Sequence, residues 1–396
     1  MSFLPMRVGE AAVRFEFATA SRILFGAGVV REVVPAAKQM GGRPLLVVGQ
    51  SPHRAAFLAE EFKTAGIGCV TWATQGEPSV TLVREGVELA RREQCDLVIA
   101  FGGGSAIDAG KAVAALLTNG GDPTDYLEVI GKGQPLKNAS VPFIAVPTTA
   151  GTGSEVTRNA VLASAEHRVK VSLRSPLMLA RLAVVDPELT RELPPAVTAS
   201  TGLDALTQLI EPYVSSRANP LTDGFCREGL HRVSRSLRRA YQSGSDRAAR
   251  EFMSLASLLG GLALANAGLG VVHGFAAPIG GMFDAPHGAV CAALLPHGMA
   301  VNIRAVRTRA PESETLRRYE TVARLLTGKP DALAEDGVEW VRQLCRDFRI
   351  PPLSAYGIAD KDVPTLVEKA SQASSTKGNP ISLTLDELQE VLTLAL

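Results

Sequence analysis

The feature that most constrains this chain is an alternation in its first half. Short apolar runs at Pro44–Val48 (PLLVV), Cys69–Trp72, Asp96–Phe101 (DLVIAF) and Val141–Val146 (VPFIAV) take turns with stretches of helical spacing at Ser51–Ala65, Val80–Arg92 and Ser105–Leu117. Runs with little polar interruption mark strands buried on both faces. Strands separated by helices cannot pair as hairpins, so the pattern predicts a parallel sheet covered on both sides. From about Pro187 the pattern becomes almost wholly helical, and the proline-bearing segment Asp186–Pro195 (DPELTRELPP) is the natural junction. The expected division is an α/β domain over residues 1–190 and an all-helical domain over residues 191–396, with a ligand cleft between them.

Composition narrows the class. At roughly 150 residues per domain, 396 residues suit two or three domains. With 46% hydrophobic and 20% charged residues, the chain can build a large core and is not disordered. A net charge of +1 gives no reason to expect nucleic acid or an acidic membrane as partner. The basic segment Arg227–Arg250 wraps its charges around Leu230, Val233, Leu237 and Tyr241, the pattern of a solvated helix face. Between Phe252 and Ile303 the only formally charged side chain is Asp284, but glycines and prolines break this run, so it predicts buried core helices rather than a membrane span. Five scattered cysteines without a CxxC pair argue against a disulfide framework and for a reducing cytoplasm. Glu10 and Glu16 interrupt the N-terminal apolar residues, so no signal peptide is read there.

Two loops carry the first chemical signal. In FGGGSAIDAGK (Phe101–Lys111) a buried strand ends, three glycines turn the chain, and a helix opens at Ser105. Glycines let backbone approach a phosphate, and the helix N-terminus offers free N–H groups and a positive dipole end. The spacing is neither GxGxxG nor a P-loop, and by itself it also suits a tight strand-to-helix turn. In VPTTAGTGSE (Val146–Glu155), Thr148, Thr149, Thr152 and Ser154 could donate to phosphate or ribose, or simply cap a polar loop. Two such loops after strand ends favour a shared nucleotide.

The helical half carries the second signal. Asp204 and Gln208 in TGLDALTQLIEPYV lie four apart, on one helix face. His273 (VVHG) and His287 (APHG) follow in an apolar, glycine-punctuated stretch. A carboxylate with imidazoles suits Zn²⁺ or Fe²⁺, although each histidine alone could be a core residue bonded to backbone. His297 keeps the core reading. Phe275, Met282 and Phe283 suggest an apolar substrate wall, or core packing.

Taken together, SRILFGAG (21–28), FGGGSAIDAGKA, VPTTAGTGSEVT, VVDPELT, GLDALTQLIEPYVS and VVHGFAAPIGGMFDAPHGAVCAALLPHGM resemble the iron-containing (group III) alcohol dehydrogenase family over nearly the whole chain. The resemblance implies a dehydroquinate synthase-like architecture: a dinucleotide-binding α/β domain and an all-helical domain holding a divalent metal for substrate. It implies hydride transfer between NAD or NADP and a small alcohol/aldehyde or ketone, with the metal a Lewis acid on the substrate oxygen. By motif, Gly102, Gly103, Gly104 and Ser105 would face the pyrophosphate and Asp108 the nicotinamide end. Thr148, Thr149, Thr152, Asn159 and Lys170 would contact phosphate, ribose or nicotinamide. Asp204, Gln208, His273 and His287 take the metal positions, with Asp204 and the two histidines as the catalytic set. Dimers or larger homo-oligomers are also implied.

This chain departs from the family at three places. Gln208 stands where the family usually has His, and a neutral amide is the weaker ligand. Relatives resembling glycerol dehydrogenase hold zinc with one Asp and two His, so Asp204, His273 and His287 could suffice. Ala277 replaces a histidine near the nicotinamide. Gly49 stands where NAD-preferring relatives often carry Asp, so nothing excludes NADP, and Ser51 or Arg54 could receive its 2′-phosphate. The alternatives are a metal-independent reductase resembling maleylacetate reductase, a nucleotide-binding relative without catalysis, and a lyase resembling dehydroquinate synthase.

Overall fold

The computed structural model describes residues 13–396. Residues 1–12, with the Glu10 part of the leader reading, lie outside them. The strands are β1 (Ile23–Phe25), β2 (Pro44–Val48), β3 (Val70–Ala73), β4 (Leu97–Gly102), β5 (Phe143–Pro147), β6 (Asn159–Ser164), β7 (Val169–Arg174) and β8 (Leu182–Val185). Six form one sheet in the order β1-β8-β5-β4-β2-β3, and every pairing in it is parallel. Strands β2, β4, β5 and β8 are buried along their whole length, as unbroken apolar runs require.

The sheet is wrapped by α1 (Val33–Lys38), α2 (Ala56–Thr64), α3 (Val80–Arg92), α4 (Gly104–Asn119) and α5 (Pro123–Tyr126). Helix α3 is capped by the Ser79 hydroxyl, which accepts from the Leu82 N–H, and it buries Val80, Val83, Val87 and Ala90. The helix expected over Ser51–Ala65 begins instead as a 3₁₀ turn at Pro52–Ala55. Proline disfavours helical backbone at Ser51 before it.

The strand–helix alternation does not anticipate the antiparallel hairpin β6–β7, which pairs Asn159 with Arg174 through Ser164 with Val169. Its signal is the strict alternation of Val169, Val171 and Leu173 with Lys170, Ser172 and Arg174.

Beyond β8 the chain is helical: α6 (Pro195–Val214), α7 (Pro220–Gln242), α8 (Arg247–Ala267), α9 (Val271–Met282), α10 (His287–Arg309), α11 (Glu314–Thr327), α12 (Ala334–Asp347), α13 (Val363–Gln372) and α14 (Leu385–Thr393). Helices α8 and α10 are long and apolar enough to cross a membrane, but 67% and 78% of their apolar windows are buried in the protein. They are the core helices expected of that run.

One apolar core extends from Val98, Ile107 and Phe143 into the helical half at Leu206, Val290 and Leu294. A smaller one lies under the other sheet face, at Val34, Leu46, Leu58, Phe62 and Ile99. The halves meet through glycines. A Cβ on Gly261 of α8 would come 2.5 Å from the Gly153 carbonyl oxygen, and one on Gly281 of α9 would come 2.5 Å from Val169 Cα in the hairpin. These contacts bring α8 and α9 against the loop and hairpin that line the cleft.

Candidate active site

The sheet order reverses direction between β2 and β4, since β3 lies outside β2 while β5 and β8 follow on the far side of β4. In open α/β sheets, ligands bind beyond the carboxyl ends of the strands at such a switch point. Here β2 runs into Gly49 and β4 ends at Gly102. The Gly49 N–H donates to the Phe101 carbonyl at 3.4 Å, and a Cβ on Gly102 would come 2.6 Å from Ala106 Cβ. Gly103 opens helix α4 in extended backbone, with no side chain capping it. Its first-turn N–H groups are left uncapped, an arrangement that suits an anion.

The second loop closes over the first. Thr148 donates its N–H to the Gly102 carbonyl at 2.9 Å, a Cβ on Gly103 would lie 3.4 Å from Thr149, and one on Gly104 would lie 2.8 Å from Thr152. The structure thus gathers both motifs at one point.

A cleft of about 770 Å³ opens there. Gly104, Ser105, Asp108, Thr152, Asn159 and Lys170 line its α/β wall. Gln208, Ala277, His273 and His287 line the helical wall. Gly49, Gly102, Gly103, Thr148 and Thr149 stand behind this lining, in the loops that shape it.

The α/β wall is cross-braced by charges. Asp108 accepts from the Ser154 hydroxyl and the Val161 N–H, and lies 3.0 Å from Lys111 Nζ. Lys111, fully buried, also donates to the Ser154 carbonyl and Thr157 Oγ1, each at 2.9 Å. Burial pushes its pKa down, while Asp108 pulls it back up. Burial pushes the neighbouring Glu155 carboxyl up to about 7, against the pull of Lys111. Lys170 lies 3.2 Å from Glu77.

The helical wall holds the metal candidates. Asp204, Gln208 and Glu211 share one face of α6. His273 sits in the first turn of α9, His287 opens α10, and Cys291 follows one turn later on the same face. Asp204 Oδ1 is 3.4 Å from His273 Nε2 and 3.7 Å from His287 Nε2. Cys291 Sγ is 3.8 Å from His273 Nε2 and 3.7 Å from His287 Nε2. His273 Nδ1 donates to Glu211 Oε2 at 2.7 Å, which directs Nε2 toward Asp204, and Glu211 Oε1 accepts the Val272 N–H at 2.8 Å.

The electrostatics are those of a cation site. Burial favours a neutral His287, yet Cys291 and Asp204 hold its pKa up to about 9. Burial opposes charge on Asp204, but the two imidazoles keep its carboxyl below the usual range. Buried anions that stabilise imidazolium stabilise a metal cation by the same Coulomb attraction. Two buried oxygens in this cluster, Asp204 Oδ1 and Gln208 Oε1, have no hydrogen-bond partner among the described residues. An unpartnered buried carboxylate oxygen is costly unless a ligand completes it, and two imidazoles with a carboxylate suit a divalent ion.

Of the two readings of Phe275, Met282 and Phe283 the structure gives core packing, and it adds to the cluster residues that the motifs do not name. Phe275 is fully buried in the core, Met282 and Phe283 pack against it, and none of the three lines the cleft. The apolar lining comes instead from Leu264, Leu269 and Pro278. Cys291 and Glu211 belong to the cluster although no motif singles them out. Their signals are positional: Cys291 is one turn past His287, and Glu211 is two turns past Asp204 on the same face.

Comparison with known proteins agrees with this geometry. The family described as iron-containing alcohol dehydrogenase matches residues 20–187, and the Fe-containing alcohol dehydrogenase family, C-terminal, matches residues 198–396. Alcohol dehydrogenase 4 of Schizosaccharomyces pombe is 36% identical over 94% of this chain and 87% of its own. The NAD-dependent methanol dehydrogenase of Bacillus methanolicus is 33% identical over 94% of this chain and 96% of its own. A crystal structure of 1,3-propanediol oxidoreductase superposes with a TM-score of 0.88 at 33% identity, covering 97% of this chain and all of that one. With both halves matched, and a glycine-rich loop facing a carboxylate–imidazole cluster, the chain belongs to the iron-containing alcohol dehydrogenase family, a metal-binding and nicotinamide-dependent group, and is an oxidoreductase of small-molecule alcohols or aldehydes.

Proposed function

We propose that this enzyme moves hydride between NAD(P) and an alcohol–carbonyl pair whose oxygen meets a divalent metal held by Asp204, His273 and His287. The observation that carries this reading is the buried Asp204 Oδ1, which lacks a hydrogen-bond partner among the described residues and lies beside two imidazole Nε2 atoms. A metal-independent reductase would leave that oxygen beside the two imidazoles with no hydrogen bond from either. A bound Zn²⁺ or Fe²⁺ would supply Lewis acidity toward the substrate oxygen.

The chain's own residues do the rest. Gly102, Gly103, Gly104 and Ser105 present α4's N-terminus to the pyrophosphate. Thr148, Thr149, Thr152, Asn159 and Lys170 set the remainder of the cofactor along the α/β wall. Asp108 acts by bracing this wall through Ser154 and Lys111. Glu211 fixes the His273 ring. Ala277 lines the cleft with a methyl that has no exchangeable proton, so proton exchange runs through water, a ribose hydroxyl or another side chain.

The balance toward NADP rests on Gly49 and on Arg54, which lines a second cavity of about 460 Å³ with His53 and Phe101. Arg54 there donates to the Leu189 carbonyl and lies 3.7 Å from exposed Glu192, a pair that a 2′-phosphate could displace. Five free thiols accord with a reducing cytoplasm, and self-association is part of the same reading.

The test is elemental analysis of the purified protein with NADH- and NADPH-linked turnover of an aldehyde panel, before and after chelation. Asp204→Ala is expected to lose both metal and turnover. Undiminished turnover in the metal-free protein would sink the proposal.

A further inference from the structure

We propose that Cys291 is a metal ligand of this site, taking the place that Gln208 fills poorly, and that its thiolate makes the centre select zinc over iron. This inference rests on the reading of the Asp204 cluster as a metal centre.

The geometry points to Cys291 first. A tetrahedral zinc centre with Zn–N and Zn–O near 2.0–2.1 Å and Zn–S near 2.3 Å has edges of about 3.3–3.6 Å. Four of the six edges are 3.4 and 3.7 Å between Asp204 Oδ1 and the imidazoles, and 3.7 and 3.8 Å between Cys291 Sγ and the same imidazoles, slightly wider than a loaded site would be. All four donor atoms lie within 4.8 Å of one another. Two of the four corners come from one helix face, His287 and Cys291 a turn apart on α10.

Asp204 Oδ1 is the independent sign that something belongs among these atoms. It is buried, aimed into the cluster and without a hydrogen-bond partner among the described residues.

The chemistry agrees. Gln208 offers a neutral amide oxygen, whereas Cys291 offers an anion once its Sγ–H proton leaves to solvent as the metal binds. Carboxylate and thiolate together neutralise a divalent ion in a buried place, which an amide cannot do. Thiolate is the soft donor of this set, and soft donors favour zinc over Fe²⁺. Substrate can still approach from the cleft, because zinc accepts a fifth ligand. Gln208, which lines the cleft, is left free to hydrogen-bond the substrate.

Cobalt reads the ligand set without reference to activity. The full-length protein is stripped of metal, loaded with Co²⁺ and its absorption recorded. A thiolate ligand gives an intense near-ultraviolet charge-transfer band, whereas nitrogen and oxygen ligands give only visible ligand-field bands. We expect the near-ultraviolet band in the wild type and in Gln208→Ala. It should vanish in Cys291→Ser while the visible bands persist, and zinc affinity should fall by at least the roughly 10–100-fold that outer-shell losses cause. X-ray absorption of the zinc-loaded wild type needs no variant, and should find one sulfur neighbour at about 2.3 Å.

A wild-type protein that holds cobalt without the near-ultraviolet band, or a band unchanged in Cys291→Ser, overturns the assignment of Cys291 and leaves the metal enzyme standing. A protein that takes up neither cobalt nor zinc overturns both readings.

Discussion

At the scale of single residues, the site depends on which nitrogen of each histidine is free. His273 can offer Nε2 because Glu211 accepts the proton on Nδ1 at 2.7 Å. Glu211→Gln keeps the size but can present an N–H to the ring, so metal affinity should fall roughly 10–100-fold, as for other outer-shell partners. Chelator competition measures this, and an unchanged affinity would show that the ring is held by packing alone. Glu155 is a second test, removed from the metal. Its folded pKa of about 7 lies above the ordinary glutamate value of 4.5 because burial penalises the carboxylate. Between those values the folded state binds more protons than the unfolded state. This contribution to stability is therefore full below about 4.5 and lost as pH rises through 7. A tenfold change in proton affinity corresponds to about 1.4 kcal/mol. Urea unfolding across that window should show a decline in the wild type that Glu155→Gln lacks, and parallel curves would contradict the burial argument. Much of this site is legible in the sequence. Asp204 and Gln208 share a helix face by spacing alone, and glycine-rich turns announce themselves. Glu211 and Cys291 are harder to see because their roles depend on which neighbouring helix meets that face, and spacing says nothing of that.

At the scale of elements, legibility follows burial. DLVIAF and PLLVV are unambiguous because a strand covered on both faces admits few polar residues. The hairpin β6–β7 is half polar and lies against α9, so its pattern resembles an ordinary surface segment until the partner helix is known. Helix contacts through glycine are equally hidden, since a missing side chain leaves no periodic mark. They are also where an element is most sensitive. A Cβ on Gly261 would meet the Gly153 carbonyl at 2.5 Å and the Gly153 Cα at 2.7 Å, and backbone cannot swing aside. Gly261→Ala should therefore cost about 1–3 kcal/mol, as overpacking does. It should also weaken NAD(P)H binding, because Gly153 belongs to the loop over α4. Gly224 is the control. It lies in α7 with nothing within 4 Å of its missing Cβ, so Gly224→Ala should stabilise by up to about 1 kcal/mol through helix propensity. Thermal unfolding of the pair checks both signs. Equal effects would mean that the close approach of α8 to this loop is not rigid.

At the scale of the whole molecule, the proposed cofactor surface and the proposed metal cluster stand on opposite walls of one cleft and draw on separate residues. The α/β wall is braced within itself, through Lys111, Asp108 and the Thr148–Gly102 bond. The metal cluster joins α6, α9 and α10 through Asp204, His273 and His287, so an ion there ties three helices together at that point. Metal should therefore act on folding and cofactor on orientation, with little coupling in the binary states. An ion present at 100 times its dissociation constant stabilises by about 2.7 kcal/mol, and chelation should remove that amount from the unfolding free energy. NADPH bound to the chelated protein should keep a dissociation constant within a few-fold of that of the metal-loaded protein, because no cofactor-facing residue is lost. Fluorescence titration of NADPH against protein with and without zinc makes the comparison directly. If chelation abolished cofactor binding, the two walls would have to be set by one another. The glycine contacts at Gly261 and Gly281 would then be transmitting the state of the metal cluster to the loop above α4.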